Sequence, residues 1–125
     1  MHLARRACCR TYQTVFRIAL PVLPYTEPRI LEHAEDVPTV LQKRSIQRVL
    51  IVTDPDIARL ELTAPLETAL ASKGIGVAVY AKTSANPTVS NVEEAASLYR
   101  KRACQAIIGF GGGSAMDCAK GVGAR

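Results

Sequence analysis

Tryptophan is absent from this 125-residue chain, which has only four tyrosines and two phenylalanines. So few aromatics cannot interleave with basic side chains, as a base-stacking nucleic-acid surface would require. No apolar run approaches the ~18 residues that a membrane-spanning helix needs. Arg17, Pro21 and Pro24 break the N-terminal apolar stretch too often for a secretory signal core. Histidine occurs only at His2 and His33, and Cys8, Cys9, Cys104 and Cys118 follow no zinc-ligand spacing. Adjacent Cys8 and Cys9 fit neither a metal pair nor an ordinary disulfide. Cys104 and Cys118 read as small apolar residues, reduced in a cytosol, and His33, between Glu32 and Glu35, reads as a surface residue. The sequence therefore offers no metal ligand. Acid is missing from residues 1–26, which carry Arg5, Arg6, Arg10 and Arg17, so the net charge of +5 leaves only +1 for the rest. That basic start fits either a mitochondrial presequence or a plain extension ahead of the first strand. The expected location is otherwise cytoplasmic.

Hydrophobic residues at 48% and charged residues at 22% exclude a disordered chain and fit a globular one. The length allows one domain at most. We divide it into an N-terminal extension and edge strand, 1–23, and a truncated α/β domain, 24–125.

Helix and strand signals alternate along the second part. Val15 to Val22 is an extended edge segment ending in prolines, and Arg29 to His33 is a candidate to pair with it. Asp36 should cap a short helix with Pro38 in its first turn and Val37, Val40 and Leu41 on one face. Arg48 to Thr53 reads as a strand, and Ile57 to Leu60 as one helical turn. Thr63 should cap a helix with Leu66, Ala69 and Leu70 inward, ended by Gly74. Gly76 to Tyr80 is the next strand, and Ser84 to Thr88 a loop. Ser90 or Asn91 should cap a helix running to about Arg102, and Gln105 to Phe110 is a further strand. Such alternation predicts a parallel sheet with right-handed helical crossovers.

The last strand leads into Gly111-Gly112-Gly113-Ser114, followed by the helical segment Ala115 to Lys120. A strand, a glycine turn and a helix N-terminus make an anion site, because unpaired N–H groups and the helix dipole point at one spot. A phosphate suits it best. The turn is not the G-x-G-x-x-G fingerprint, which would need glycine where Ser114 stands.

The run Gly111-Gly112-Gly113-Ser114 with Asp117, Ala119 and Lys120 resembles the GGGSxxDxAK signature of the iron-containing (group III) alcohol dehydrogenases. Asn86-Pro87-Thr88 resembles that family's PNPT segment, with Ala85 for the first proline, and Val49 to Asp54 its first strand ending in VTD. The resemblance spans about Pro24 to Arg125. It implies an incomplete Rossmann-like parallel sheet with flanking helices, the NAD-binding front part of an enzyme whose C-terminal helical metal domain is absent. It further implies that iron, sometimes zinc, held elsewhere by one aspartate and three histidines, polarises an alcohol oxygen. Hydride then passes to NAD, giving an aldehyde or ketone. The implied partners are NAD and a small alcohol or aldehyde, with no nucleic acid or membrane, and a complete protein could form a homo-oligomer. A related glycerol dehydrogenase or dehydroquinate synthase-like enzyme, or a non-catalytic nucleotide-binding fragment, are the alternatives.

Ligands of open parallel sheets sit beyond the carboxyl ends of the strands, where Asp54, the Asn86 loop and the glycine turn should converge. Asp54 can accept from ribose hydroxyls and repel the extra phosphate of NADP, or merely cap the turn before Pro55. Asn86 can bind ribose or adenine, or be an ordinary loop residue. Gly111, Gly112, Gly113 and Ser114 would cradle the pyrophosphate through N–H groups and a hydroxyl. Asp117, three residues past Ser114, is either a capping-box partner or a ligand residue. Lys120 reads as solvated.

Overall fold

Val49, Leu50, Ile51 and Val52 are all fully buried, although neighbouring residues of a strand face opposite ways. Such a strand needs a cover on both faces, and in the computed structural model, which describes residues 28–125, it has one. The chain divides into two units, Met1–Ile30 and Leu31–Arg125, and the second holds every element below. The predicted extended segment Val15–Val22, the Cys8-Cys9 pair and the boundary at 23/24 lie outside the described residues.

A 3-10 turn, Ala34–Asp36, leads into helix α1 (Val37–Lys43), then β1 (Arg48–Val52), α2 (Pro55–Arg59), α3 (Ala64–Ser72), β2 (Gly76–Tyr80), α4 (Val89–Lys101), β3 (Ala106–Gly109) and α5 (Gly113–Gly123). The sheet is parallel, in the order β2-β1-β3. β1 pairs Arg48 with Gly76 through Val52 with Tyr80 on one side, and Val49 with Ala106 through Val52 with Gly109 on the other. The three strands thus end level, and that shared edge carries the site.

Leu50 and Val52 join Tyr80, Cys104, Ala95, Ala96, Cys118 and Val122 beneath α4 and α5. Val49 and Ile51 join Leu41, Leu66, Leu70 and Ile75 beneath α1 and α3. Each fully buried Val, Leu or Ile contributes about 1.5–3 kcal/mol, so these two layers carry most of the stability. At Gly109 an added Cβ would lie 3.1 Å from Ala119 Cβ and 3.3 Å from Met116 Cα. The missing side chain lets α5 sit down on β3, which aims the helix start at the sheet edge.

Several local expectations need correction. Residues 29–33 form no strand, since Glu32 and His33 are exposed and no alternating buried face exists there. Asp36 makes no side-chain cap, because the preceding 3-10 turn already runs into α1 and leaves it helical at φ −81°, ψ −18°. Thr63 stands at the N-cap of α3 as expected, with its carbonyl accepting from Glu67 N–H at 2.9 Å, but its hydroxyl donates to Glu67 Oε1 at 2.6 Å and makes no side-chain cap. α4 begins before Ser90: extended Thr88 (φ −90°, ψ 164°) is its cap, and Asn91 is the reciprocal partner in a capping box.

Cys104 and Cys118 are buried free thiols. Burial pushes the Cys104 thiol above its ordinary pKa, against the opposing pull of Arg48 and Arg102. Since the thiolate is the nucleophile, brief iodoacetamide treatment at neutral pH should leave both unlabelled until urea is added. Labelling of Cys104 in the native chain, seen by peptide mass mapping, would contradict this packing.

Candidate functional site at the carboxyl edge of the sheet

Beyond the strand ends lies an open cleft of about 650 Å³, lined by Asp54 to Ile57 and Leu60, by Lys82 to Ala85, and by Gly112 to Ala115. Three segments far apart in sequence meet there because β1, β2 and β3 stop at the same level. A cleft of similar size at the opposite edge, lined among others by Gln42, Ser45, Arg48 and Lys73, faces the C-terminal ends of α1 and α3. Helix C-termini present carbonyl oxygens, so that end is not arranged for an anion.

The glycine turn is arranged for one. Gly111 has φ +130°, a conformation that side chains oppose, and a Cβ there would sit 3.3 Å from Asp54 Oδ2 and 3.5 Å from Ile57 Cγ1. Gly112 is the N-cap of α5 and supplies no side-chain cap, while Met116 N–H makes the first bond back to Gly112 O at 3.2 Å. The N–H groups of Gly113, Ser114 and Ala115 therefore stand at a positive helix end with no capping side chain. A Cβ at Gly112 or Gly113 would meet nothing within 4 Å. That empty, donor-lined approach fits a phosphate group.

Asp54 turns out to do the capping job that sequence reasoning left open. Its Oδ1 accepts from Asp56 N–H at 3.0 Å and Ile57 N–H at 2.9 Å, starting α2. Its Oδ2 lies beside Gly111, which is itself outside the cleft lining. One carboxylate thus caps a helix and still presents an acceptor beside the glycine turn.

Ser114 lies in the cleft, but its hydroxyl donates to Ala85 O at 2.5 Å, so that proton is committed to the loop. Asn86 lies outside the cleft lining; its backbone carbonyl stands 2.8 Å from Ser84 Oγ, whose single proton it shares with Asn91 Oδ1 at the same distance. Asp117 is outside it too. With Gly112 as N-cap it is not the third helical residue, so no Ser114–Asp117 capping box exists; it pairs instead with Lys120 at 3.5 Å on the exposed side of α5.

Sequence reasoning named Asn91 only as a possible helix cap, whereas it organises the loop. Asn91 Nδ2 donates to Tyr80 OH and to Lys82 O, both at 3.2 Å, while its Oδ1 accepts from Thr88 N–H at 3.1 Å and from Ser84 Oγ at 2.8 Å. Tyr80 OH in turn donates to Glu94 Oε2 at 3.3 Å. Burial raises the Tyr80 pKa above its ordinary value, Asn91 opposing and Glu94 reinforcing, so the phenol stays a donor. The available signal was T-x-x-N ahead of a helix, a variant of the capping box. Two buried hydroxyls at the same edge, Thr53 and Thr83, have no hydrogen-bond partner among the described residues. A polar residue directly following a buried strand could have flagged Thr53.

Among the described residues no group of three His, Cys, Asp or Glu side chains is placed to hold a metal ion. The residues present thus fit a phosphate-bearing ligand and do not fit a catalytic metal. No helix among them is long and apolar enough to cross a membrane.

The sequence profile described as iron-containing alcohol dehydrogenase matches residues 30–125. Alcohol dehydrogenase 4 of Schizosaccharomyces pombe is 37% identical over 82 residues, 66% of this chain and 19% of the yeast protein. Alcohol dehydrogenase 4 of Saccharomyces cerevisiae (strain YJM789) is 33% identical over 88 residues, 70% of this chain and 23% of its own length. The chain thus spans a quarter or less of the length of these curated relatives. Among solved structures, a 1,3-propanediol oxidoreductase superposes with a TM-score of 0.69 at 30% identity, covering 72% of this chain and 24% of that one. A sulfoacetaldehyde reductase from Bifidobacterium kashiwanohense, in complex with NAD+, gives 0.68 at 25% identity, covering 78% and 27%.

Proposed function

The chain belongs to the iron-containing alcohol dehydrogenase family, a family of oxidoreductases, and from that premise we propose that this segment binds NAD for an enzyme interconverting an alcohol and its carbonyl product. The observation that carries the reading is the uncapped start of α5, open at Gly112 and Gly113 and set beside Asp54 at the sheet edge. The N–H groups of Gly113, Ser114 and Ala115 would hold the pyrophosphate, and Asp54 Oδ2 would accept from a ribose hydroxyl. Bound NAD supplies the hydride acceptor. The chain's own contribution is to fix the dinucleotide's position and orientation. No step is assigned to a metal, because the described residues hold no ligand set for one. The relative solved with NAD+ supports the choice of nucleotide.

Titration of the chain with NAD+ is the direct test, and absence of saturable binding would end the proposal. Asp54 allows a sharper one. Asp54→Asn keeps an Oδ1 that can accept from Asp56 and Ile57, so α2 stays capped while the charge disappears. A unit charge a few ångströms from the 2′-phosphate of NADP is worth about 1–2 kcal/mol after solvent screening. The Kd ratio of NADP+ to NAD+ should therefore fall about tenfold. An unchanged ratio would leave Asp54 as a helix cap and nothing more.

A further inference from the structure

An asparagine amide has two donor hydrogens and an oxygen with two lone pairs. At Asn91 all are engaged, and they reach different parts of the fold. The donors hold Tyr80, the last residue of β2, and the carbonyl of Lys82 on the cleft wall. The oxygen holds Ser84 in the loop and Thr88 at the start of α4. The loop's next residue, Ala85, accepts the hydroxyl of Ser114 from α5. A continuous set of bonds therefore runs from the end of β2, through Asn91, Ser84 and Ala85, to the first turn of α5. Two of the segments it joins, Lys82 to Ala85 and the first turn of α5, line the cleft.

We propose that Asn91 is a positioning residue for the cleft: its amide fixes the loop from Lys82 to Thr88, and the Ser114–Ala85 bond transmits that position to the N–H groups at the start of α5. The identity of the ligand rests on the reading given above; the latch itself rests on hydrogen bonds alone. Ser114 then acts on a phosphate through its backbone N–H, and its hydroxyl acts through the loop. Without the latch, Ala85 and the helix start can separate, and the donors lose their common aim. Preorganised donors bind better because their ordering is already complete before the ligand arrives.

The test compares Asn91→Ala, Asn91→Asp, Ser114→Ala, the double variant Asn91→Ala/Ser114→Ala, and Ser90→Ala as a control in the same helical turn. Two readouts are taken where circular dichroism shows each variant folded: amide hydrogen exchange without ligand, and the Kd for NAD+. Asn91→Ala should speed exchange at 82–88 and also at 112–116, which a local loss of helix capping would not do. Asn91→Asp keeps the acceptor for Thr88 and Ser84 but loses both donors and faces the Lys82 carbonyl. It guards against a failure of the alanine variant to fold, and should show the same spread more weakly. Asn91→Ala and Ser114→Ala should each weaken NAD+ binding about tenfold, and the double variant hardly more than either, since both open one latch. Ser90→Ala, which removes a hydroxyl that reaches Glu94 Oε1 at 3.4 Å and none of the bonds of the latch, should leave exchange at 112–116 and the Kd unchanged. Exchange confined to 88–92, or fully additive losses in the double variant, overturns the latch. Wild-type chain that shows coupled exchange but no NAD+ binding keeps the latch and overturns the nucleotide. Wild-type binding with an unaltered Kd in Asn91→Ala and Asn91→Asp keeps the nucleotide and overturns the role of Asn91.

Discussion

Replacing Leu50 by alanine should lower the urea midpoint of the chain by roughly 1–3 M without changing the slope of the transition. Leu50 is fully buried at the middle of the central strand, beside Ala78 on β2 and Ile107 on β3. It belongs to the layer that α4 and α5 cover, together with Tyr80, Ala96 and Cys118. Because the sheet is packed on both faces, the surroundings cannot collapse easily onto the hole, and a loss of about 3–5 kcal/mol is expected. A domain of this size has only about 5–14 kcal/mol in total. Val89→Ala is the matched comparison, since Val89 is 68% exposed and should change stability by less than ~0.5 kcal/mol. Equal midpoints for the two variants would show that β1 is not the buried centre of the fold.

Alanine at Gly111 and alanine at Gly113 should move stability in opposite directions while both weaken NAD+ binding. At Gly111 the positive φ opposes any side chain, and the new Cβ would press on Asp54 Oδ2 and Ile57. Strain of this kind costs about 1–3 kcal/mol, and relief of it would shift the turn that starts α5. At Gly113 the residue is already helical and a Cβ meets nothing within 4 Å. Alanine there should stabilise the chain by about 0.4–1 kcal/mol through a less flexible unfolded state. It would nonetheless intrude on the approach to the N–H donors, and a drop in affinity of about tenfold corresponds to the loss of one well-made charge-assisted bond. Thermal melts and NAD+ titrations on the two variants decide the matter. A Gly113→Ala chain that binds as tightly as wild type would mean the turn does not touch the ligand.

The sheet was readable because local chemistry determines it. Gly76 to Tyr80 is the same strand by sequence and by structure, bounded by the turn at Gly74 and followed by polar residues. The convergence of Asp54 with Gly112, Gly113 and Ser114 followed from topology alone, since parallel strands deliver their loops to one edge. The uses of individual side chains were less readable. Asp54 divides its two oxygens between a cap and the cleft, and the Ser114 proton goes to a carbonyl twenty-nine residues earlier in the chain. Nothing in the spacing of residues reports such a long-range bond. Asn91 looked like a cap because asparagine favours that place, yet Thr88 already supplied the extended conformation a cap needs. Asp117 and Lys120, prominent in the glycine-rich run, lie outside the cleft lining and pair with each other.

The composition of the cleft also bears on when it can first exist. Its walls come from residues near Asp54, from the segment after β2 and from the start of α5. During synthesis, therefore, a chain emerging from the ribosome has β1 and β2 long before it has a binding site. Any ligand of the cleft stabilises only chains that have it, by RT ln(1 + [L]/Kd). Until Ala115 is free, the nascent protein depends on the layer beneath α1 and α3 and on an incomplete one beneath α4, which still lacks Cys118 and Val122, so the ligand can act only after these segments have come together.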